Sequence, residues 1–206
     1  MTNNRLVEQV EAVVRDRMHG QAAGHGLDHI MRVLVSARTI QSEAGGDRVT
    51  VELAALLHDI GDAKFHGGIE RSAEFAREIL NGLGASKSLT EHVAHIVDNI
   101  SFRKGVDSRE LTIEGRIVQD ADRLDALGAI GIVRTIEYGA TLGQPFYLPI
   151  KTESGNEPVK TGIDHFHDKL FKLKDRLNTD VARRLAEERE AFMRLFLDQF
   201  LRESGA

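Results

Sequence analysis

Two adjacent side chains that can bind a metal ion follow a strongly apolar segment of the chain. The segment AALL, residues 54–57, leads directly into His58 and Asp59, and Asp62 follows shortly after. In a helix, side chains three or four positions apart lie on one face, so a continued turn would bring Asp62 beside both residues. An isolated His-Asp pair is more often a core histidine next to a helix cap. The stretch therefore indicates a metal site only if ligands come from elsewhere.

Histidines and carboxylates from other segments could complete such a site. The chain contains no cysteine, so a metal ion could be held only by histidine, aspartate or glutamate side chains. Asp28 and His29 begin a second helical pattern. Asp28 could cap that helix, and His29 could face solvent or bind the same ion as His58. From the residues alone, both readings stay open.

A third segment, residues 118–131, reads VQDADRLDALGAIG and carries three carboxylates within an apolar helix pattern: Asp120, Asp122 and Asp125. A buried carboxylate without a partner costs several kcal/mol, so these residues should pair, bind a metal ion or face solvent. The apolar face of this helix lies nearer to Asp120 and Asp125 than to Asp122. Helix phase therefore does not select Asp122 as a ligand.

The composition limits the classes of function. The chain has 32 acidic and 27 basic residues and a formal net charge of −5, so its overall charge does not attract nucleic acid. The N-terminus MTNNRLVEQVEAVVRDRM lacks the apolar core of a signal peptide, and no apolar run approaches the roughly 20 residues of a membrane span. We expect a cytoplasmic protein with no nucleic-acid polymer and no membrane as partner.

Helical periodicity covers most of the chain, so we predict an all-α fold in a single domain, residues 1–206. Residues 139–163 contain all three prolines and form a predicted loop, and residues 164–206 form a C-terminal helical extension. The predicted helices cover residues 4–19, a segment from GHGLDH to Gly45, 49–60, 69–81, a segment with a capping box at Ser88, 113–138 as one helix or two, 164–177, and 180–202.

The order of these residues resembles the H…HD…D pattern of the HD superfamily of metal-dependent phosphohydrolases. His29 comes first, His58 and Asp59 form the central pair, and an aspartate follows on a later helix. The flanking sequences LLHDIGD and DADRLDALGAIGI strengthen the resemblance, which covers roughly residues 20–140. The tail, HFHDKLFKLKDRLNTDVARRLAEER, looks like the extension of small, single-domain bacterial HD hydrolases that are associated with nucleoside-triphosphate pyrophosphohydrolysis.

The resemblance implies a helical bundle with one divalent transition-metal ion. Its ligands would be His29, His58, Asp59 and Asp122, with Asp120 as the alternative to Asp122. Two imidazoles and two carboxylates suit Mn²⁺, which we expect first, and Ni²⁺, Co²⁺, Fe²⁺ or Mg²⁺ as alternatives. Two further histidines lie three positions apart on a helix and could bind a second ion, although the resemblance assigns them no role: His92 and His95.

The resemblance also implies roles around the substrate. Asp62 stands where related enzymes carry a carboxylate that orients the attacking water, although aspartate has a shorter reach than glutamate. Four residues are candidates for substrate binding: His25, Lys64, Arg103 and Lys104. The three cationic ones could hold phosphates through charge-assisted hydrogen bonds.

The expected reaction is hydrolysis of a nucleoside or deoxynucleoside triphosphate to the monophosphate and pyrophosphate. One alternative is a nucleoside-monophosphate phosphatase of the 5′-nucleotidase type, because the same metal site could perform either reaction. Another is a nucleotide-binding regulatory HD protein with little turnover, whose usual signature would be a missing ligand. The number of available cations favours the triphosphate.

Overall fold

The computed structural model describes residues 3–19, 26–63, 66–100, 110–149, 153–154 and 157–205. Most residues in these ranges are helical, which confirms the all-α prediction. They contain nine α-helices: α1 (Asn3–Arg17), α2 (Leu27–Ala44), α3 (Arg48–Leu57), α4 (Ser72–Gly82), α5 (Lys87–Asn99), α6 (Ile113–Leu124), α7 (Gly128–Thr141), α8 (Gly162–Asp168) and α9 (Asp180–Ser204). Two short strands, β1 (Glu153–Ser154) and β2 (Glu157–Pro158), pair antiparallel within the predicted loop.

The chain divides into two compact units, residues 1–122 and 123–206. The first unit holds α1 to α5 and most of α6. The second holds the end of α6 and every later element. The single domain over residues 1–206 stays a prediction.

Helix α3 is buried along nearly its whole length, because α1, α2, α4 and α5 of the first unit all contact it. A helix enclosed in this way can be apolar on every side, which explains the run AALL. Asp47 caps its N-terminus: the carboxylate accepts hydrogen bonds from the amide of Thr50 at 2.8 Å and from its hydroxyl at 2.7 Å. The cap and the enclosure fix the helix that leads into the candidate site.

Helix α3 ends three residues before the predicted range 49–60 does. Its last residue is Leu57, and the amide of Asp62 bonds to the carbonyl of Asp59 at 3.1 Å. That hydrogen bond spans three residues rather than the four of an α-helix. His58 and Asp59 therefore lie in a tight turn directly after the helix.

The start of one other helix differs from the sequence-based expectation, and the structure answers whether residues 113–138 form one helix or two. Helix α5 begins at Lys87, and its cap is Ser86, whose hydroxyl accepts the amide of Leu89 at 3.3 Å, so the predicted capping box at Ser88 is wrong. Residues 113–138 lie in two helices: α6 ends at Leu124, and α7 begins at Gly128. Gly128 has a φ of +72°, which a continuous α-helix does not allow.

In the second unit, α7 packs along α9 and aromatic side chains fill the space beside them. Phe146 meets Phe166 at a ring-centroid distance of 5.9 Å and Phe200 at 5.1 Å. Phe196 also contacts Phe146, whereas Phe192 is 48% exposed. Of the three phenylalanines spaced four positions apart on α9, Phe196 and Phe200 therefore pack on Phe146, and Phe192 faces solvent.

An ion pair joins α2, which carries His29, to α3, which leads into His58. Glu52 of α3 is 6% exposed at its side chain and accepts hydrogen bonds from Arg38 of α2 at 2.8 Å and from Arg48 at 2.9 Å. Burial raises the pKa of Glu52, but the hydrogen bonds and charges of the two arginines outweigh this effect and hold it below its ordinary 4.5. A lowered pKa in the folded state means that the ionised carboxylate stabilises the fold. This contribution is present above pH 4.5 and is lost as the pH falls through the lowered pKa.

We expect Glu52→Gln to lower the free energy of unfolding at pH 7 by about 1–3 kcal/mol, because it removes a charge that accepts two hydrogen bonds. The difference from the parent should shrink as the pH is lowered below 4.5. Urea unfolding of both proteins across this pH range measures it. The control is Glu11→Gln, which affects an exposed pair with Arg15 and should cost about 0.5 kcal/mol or less. A difference that stays constant with pH would contradict the assignment.

Candidate metal centre

Two buried imidazoles face each other at the centre of the site. His29 lies in the first turn of α2 and is fully buried, and His58 directly follows α3. Their Nε2 atoms are 3.2 Å apart. Nδ1 of His58 lies 2.8 Å from the carbonyl oxygen of Ala55. Because a carbonyl can only accept, His58 must donate from Nδ1, and its neutral ring then presents an Nε2 lone pair to the site.

Two carboxylates approach the same pair of nitrogen atoms. Oδ2 of Asp59 lies 3.4 Å from Nε2 of His29 and 3.6 Å from Nε2 of His58. Oδ1 of Asp122, on α6, lies 3.5 Å and 4.0 Å from the same two atoms. Ligand atoms of His29, His58 and Asp59 lie within 4.8 Å of one another, and within the described residues this is the one cluster of its kind. Asp122 adds a fourth group on its open side.

The distances fit a single metal ion among these four residues. At bond lengths of about 2.1 Å, two ligand atoms at right angles are roughly 3.0 Å apart and two opposite ones roughly 4.2 Å apart. The five measured separations run from 3.2 to 4.0 Å and so fall within this range. A set of two imidazoles and two carboxylates is also one that divalent transition ions accept.

Among the three carboxylates on the predicted apolar helix, Asp122 places an oxygen beside the imidazoles. Asp120 is fully buried, and Asp125 is buried and paired with Arg134 at 2.6 Å. The side chain of Asp122 is 38% exposed. A side chain at the open edge of a site points away from the most buried face of its helix, which is why the helical periodicity favoured Asp120 and Asp125.

At the start of α2, Asp28 is not the helix cap and His29 does not face solvent, so this alternative from the sequence is wrong. The N-cap residue is Gly26, and His29 points inward beside Ile30. Asp28 instead pairs with Arg32 at 2.8 Å, and this hydrogen bond lowers the pKa of the Asp28 carboxyl. The pairing gives Arg32 a role on the helix surface.

His92 and His95 have other neighbours than the ligand cluster. Nε2 of His92 lies 3.2 Å from the hydroxyl of Thr112 and 3.8 Å from a carboxylate oxygen of Glu114. His95 is exposed and contacts Asn99 at 3.3 Å. Within the described part of the chain, neither belongs to a group of metal-ligating side chains.

The candidate substrate residues His25, Lys64, Arg103 and Lys104 lie outside the described residues. Asp62 is described and is half-buried in the turn that follows Asp59. Sequence reasoning missed the carbonyl of Ala55, which orients His58. Every residue has a backbone carbonyl, so the residue type does not show which carbonyl accepts a hydrogen bond. Only the position of the end of α3 could have indicated this one.

Gly61 lies where the turn after α3 approaches the start of α4. A Cβ atom at this position would lie 2.6 Å from the carbonyl carbon of Arg71 and 2.7 Å from the amide nitrogen of Ser72. Backbone atoms cannot move aside as the end of a flexible side chain can. Any larger residue must therefore displace the turn that carries Asp59 and Asp62.

We expect Gly61→Ala to lower the free energy of unfolding by about 2–4 kcal/mol and to weaken metal binding, because relieving the clash moves the turn. Gly82→Ala is a matched control: its Cβ would meet nothing within 4 Å, and in a helix alanine should stabilise by about 0.5–1 kcal/mol. Urea unfolding and Mn²⁺ titration measure both variants. Equal stability of the two would refute the close approach.

Comparison with known proteins identifies the family. A sequence profile of the HD domain matches residues 26–127, which contain all four candidate ligands. The Bacillus subtilis protein YpgQ is 38% identical over 201 residues, which are 97% of this chain and 94% of YpgQ. The chain belongs to the HD superfamily. HD domains bind divalent metal ions, and this chain is a metal-dependent phosphohydrolase.

Crystal structures of HD proteins match the chain over almost its full length. An HD-superfamily hydrolase from Bacillus thuringiensis is 37% identical, with a TM-score of 0.81 and coverage of 100% of both chains. The structure of YpgQ in complex with ADP is 34% identical in the structural alignment, with a TM-score of 0.81, over 98% of this chain and 97% of YpgQ. The similarity to HD proteins therefore extends beyond the matched domain into the helices near the C-terminus.

None of the helices described in this HD protein is both long and apolar enough to cross a membrane.

Proposed function

We propose that the chain hydrolyses nucleoside or deoxynucleoside triphosphates to the monophosphate and pyrophosphate. The observation that supports this most is the convergence of His29, His58, Asp59 and Asp122, with separations of at most 4.0 Å from the imidazole nitrogens. Asp62 follows in the same turn as two of these residues. The proposal thus combines a site for a divalent ion with a carboxylate that can accept a proton.

A nucleotide is the ligand class that relatives support. YpgQ, which matches the chain over 98% of its length, has been crystallised with ADP. ADP contains a phosphoanhydride bond, and the proposed substrate contains the same kind of bond. A cytoplasmic location belongs to the same proposal, because nucleoside triphosphates are abundant there.

In this proposal the four ligands hold one divalent ion, with Mn²⁺ first and Ni²⁺, Co²⁺, Fe²⁺ or Mg²⁺ as alternatives. A bound ion would polarise the phosphoryl group and make water more acidic. The hydrogen bond from Nδ1 of His58 to Ala55 selects the tautomer of the neutral ring in which Nε2 can bind the ion. Asp62 accepts a proton from the attacking water. The water oxygen bonds to the α-phosphorus, and the bond to the α,β-bridging oxygen breaks as pyrophosphate leaves.

The charge of a triphosphate requires cations along the substrate. Lys64, Arg103 and Lys104 are proposed to hold the phosphates, and His25 is proposed to contact the substrate. Their support is their sequence position, since they lie outside the described residues. Three cations suit a triphosphate better than a monophosphate, which favours the pyrophosphohydrolase over the 5′-nucleotidase alternative.

The products formed from a panel of nucleotides test the proposal. The Mn²⁺-loaded protein is incubated with nucleoside mono-, di- and triphosphates, and phosphorus NMR identifies what is released. We expect pyrophosphate and monophosphate from triphosphates, and no reaction after removal of the ion with EDTA. Orthophosphate from monophosphates alone would replace the proposal with the 5′-nucleotidase. Nucleotide binding without turnover, with every ion tried, would favour the regulatory protein.

A further inference from the structure

The segment that carries Asp62 lies outside any α-helix and needs other contacts to hold it. Within the turn, the amide of Asp62 bonds to the carbonyl of Asp59 at 3.1 Å. That hydrogen bond acts on the backbone of the turn, so the position of Asp62 also depends on how neighbouring elements hold the turn. A catalytic group must be held within a fraction of an ångström of its productive position, so the surrounding contacts decide how well Asp62 can work.

Three hydrogen bonds tie the turn to the start of α4. The amide of Gly61 donates to the hydroxyl oxygen of Ser72 at 3.1 Å, and the amide of Arg71 donates to the carbonyl of Gly61 at 2.9 Å. The amide of Ala63 donates to Oε2 of Glu70 at 3.3 Å. These bonds hold the residues immediately before and after Asp62.

Ser72 and Glu70 contribute the two side chains of this arrangement. Ser72 is 2% exposed, so its hydroxyl is a buried acceptor that water cannot easily replace. Glu70 is exposed and uses both carboxylate oxygens, because its Oε1 also accepts the amide of Ser72 at 2.9 Å. One carboxylate thereby bridges the turn and the N-terminus of α4, where a negative charge is favourable.

We propose that Ser72 and Glu70 are positioning residues that orient Asp62 for proton transfer during hydrolysis. This inference rests on the proposed function. The two side chains bond to Gly61 and Ala63, whereas the ligand His58 is oriented separately by the carbonyl of Ala55. Loss of either side chain should therefore impair turnover much more than it impairs ion binding.

Ser72→Ala and Glu70→Ala test the inference in the full-length, Mn²⁺-loaded protein. We expect kcat to fall by about 10- to 100-fold, while KM and the Kd for Mn²⁺ change by less than about threefold. Ser72→Thr keeps the hydroxyl and should restore much of kcat. If kcat is unchanged in both alanine variants, or if kcat and Mn²⁺ affinity fall together, the inference is wrong.

Two matched controls separate positioning from general effects of the substitutions. Glu74→Ala removes an exposed carboxylate of the same helix that pairs with Arg71. Thr90→Val removes a hydroxyl that is 1% exposed and has no hydrogen-bond partner in the described part of the chain. Both should leave kcat within about twofold of the parent. A loss of kcat in either control equal to that in the test variants would overturn the specific role.

Amide hydrogen exchange gives a readout that does not depend on activity. Ser72→Ala should accelerate exchange at the amide of Gly61, and Glu70→Ala should accelerate it at Ala63. Exchange in the core of α3 should stay as in the parent. A parent protein that hydrolyses no nucleotide would overturn the proposed function, whereas an active parent with unaltered exchange and kcat in the variants would overturn only the positioning role.

Discussion

Replacing His58 by alanine is expected to abolish tight Mn²⁺ binding and to reduce kcat/KM by about 10³-fold or more. The substitution removes one of two imidazole nitrogens that face each other at 3.2 Å, and with it a proposed ligand that the carbonyl of Ala55 orients. A bound ion supplies several kcal/mol of transition-state stabilisation, and each 1.4 kcal/mol corresponds to a factor of ten. Isothermal titration with Mn²⁺ and steady-state hydrolysis of a nucleoside triphosphate measure the two effects.

His95→Ala provides the matched control for this prediction. His95 is exposed on α5 and contacts Asn99, so its loss should change neither Mn²⁺ affinity nor turnover by more than about twofold. Thermal unfolding of both variants separates ion binding from loss of fold. A folded His58→Ala protein that binds Mn²⁺ and hydrolyses nucleotide like the parent would show that the cluster is not the site.

Asp62→Asn is expected to reduce kcat by about 10²- to 10⁴-fold while the Kd for Mn²⁺ stays close to that of the parent, because general-base catalysis contributes in this range. Asparagine keeps the size and the turn but cannot accept the proton. Titration with Mn²⁺ and initial rates at saturating substrate give the two numbers separately. The expected pattern is the reverse of that of His58→Ala, in which binding and turnover fall together.

Asp62→Glu tests the reach of this carboxylate. If Asp62 acts through water at the α-phosphorus, the longer glutamate should retain more activity than asparagine does, because it still accepts a proton. If asparagine is as active as aspartate, Asp62 is not the base. If asparagine abolishes Mn²⁺ binding as well, Asp62 belongs to the ligands and the assignment of roles must change.

The sequence could predict the helices, and it could propose a set of metal ligands, because both depend on local patterns. The apolar face of α2 follows from a period of 3.6 residues. The motif around His58 and Asp59 could be recognised from the order of residue types. The structure places their side chains together with those of His29 and Asp122, so the set chosen from the sequence is a cluster in space.

The remaining features depend on tertiary contacts that no local pattern records. The end of α3 at Leu57 is set by a turn whose Gly61 packs on Arg71 and Ser72. Asp122 faces the imidazoles, although the helical periodicity places Asp120 and Asp125 nearer to the apolar face of the helix. The hydrogen bond between Gly61 and Ser72 joins residues 11 positions apart, a separation that helical periodicity does not predict.

Hydrolysis in water labelled with oxygen-18 tests the central claim most directly, because it reports which phosphorus atom the water attacks. Mass spectrometry of the products of a nucleoside triphosphate and the Mn²⁺-loaded protein locates the label. Attack at the α-phosphorus predicts one labelled oxygen in the nucleoside monophosphate and none in pyrophosphate. Label in pyrophosphate or in orthophosphate would contradict the proposed reaction.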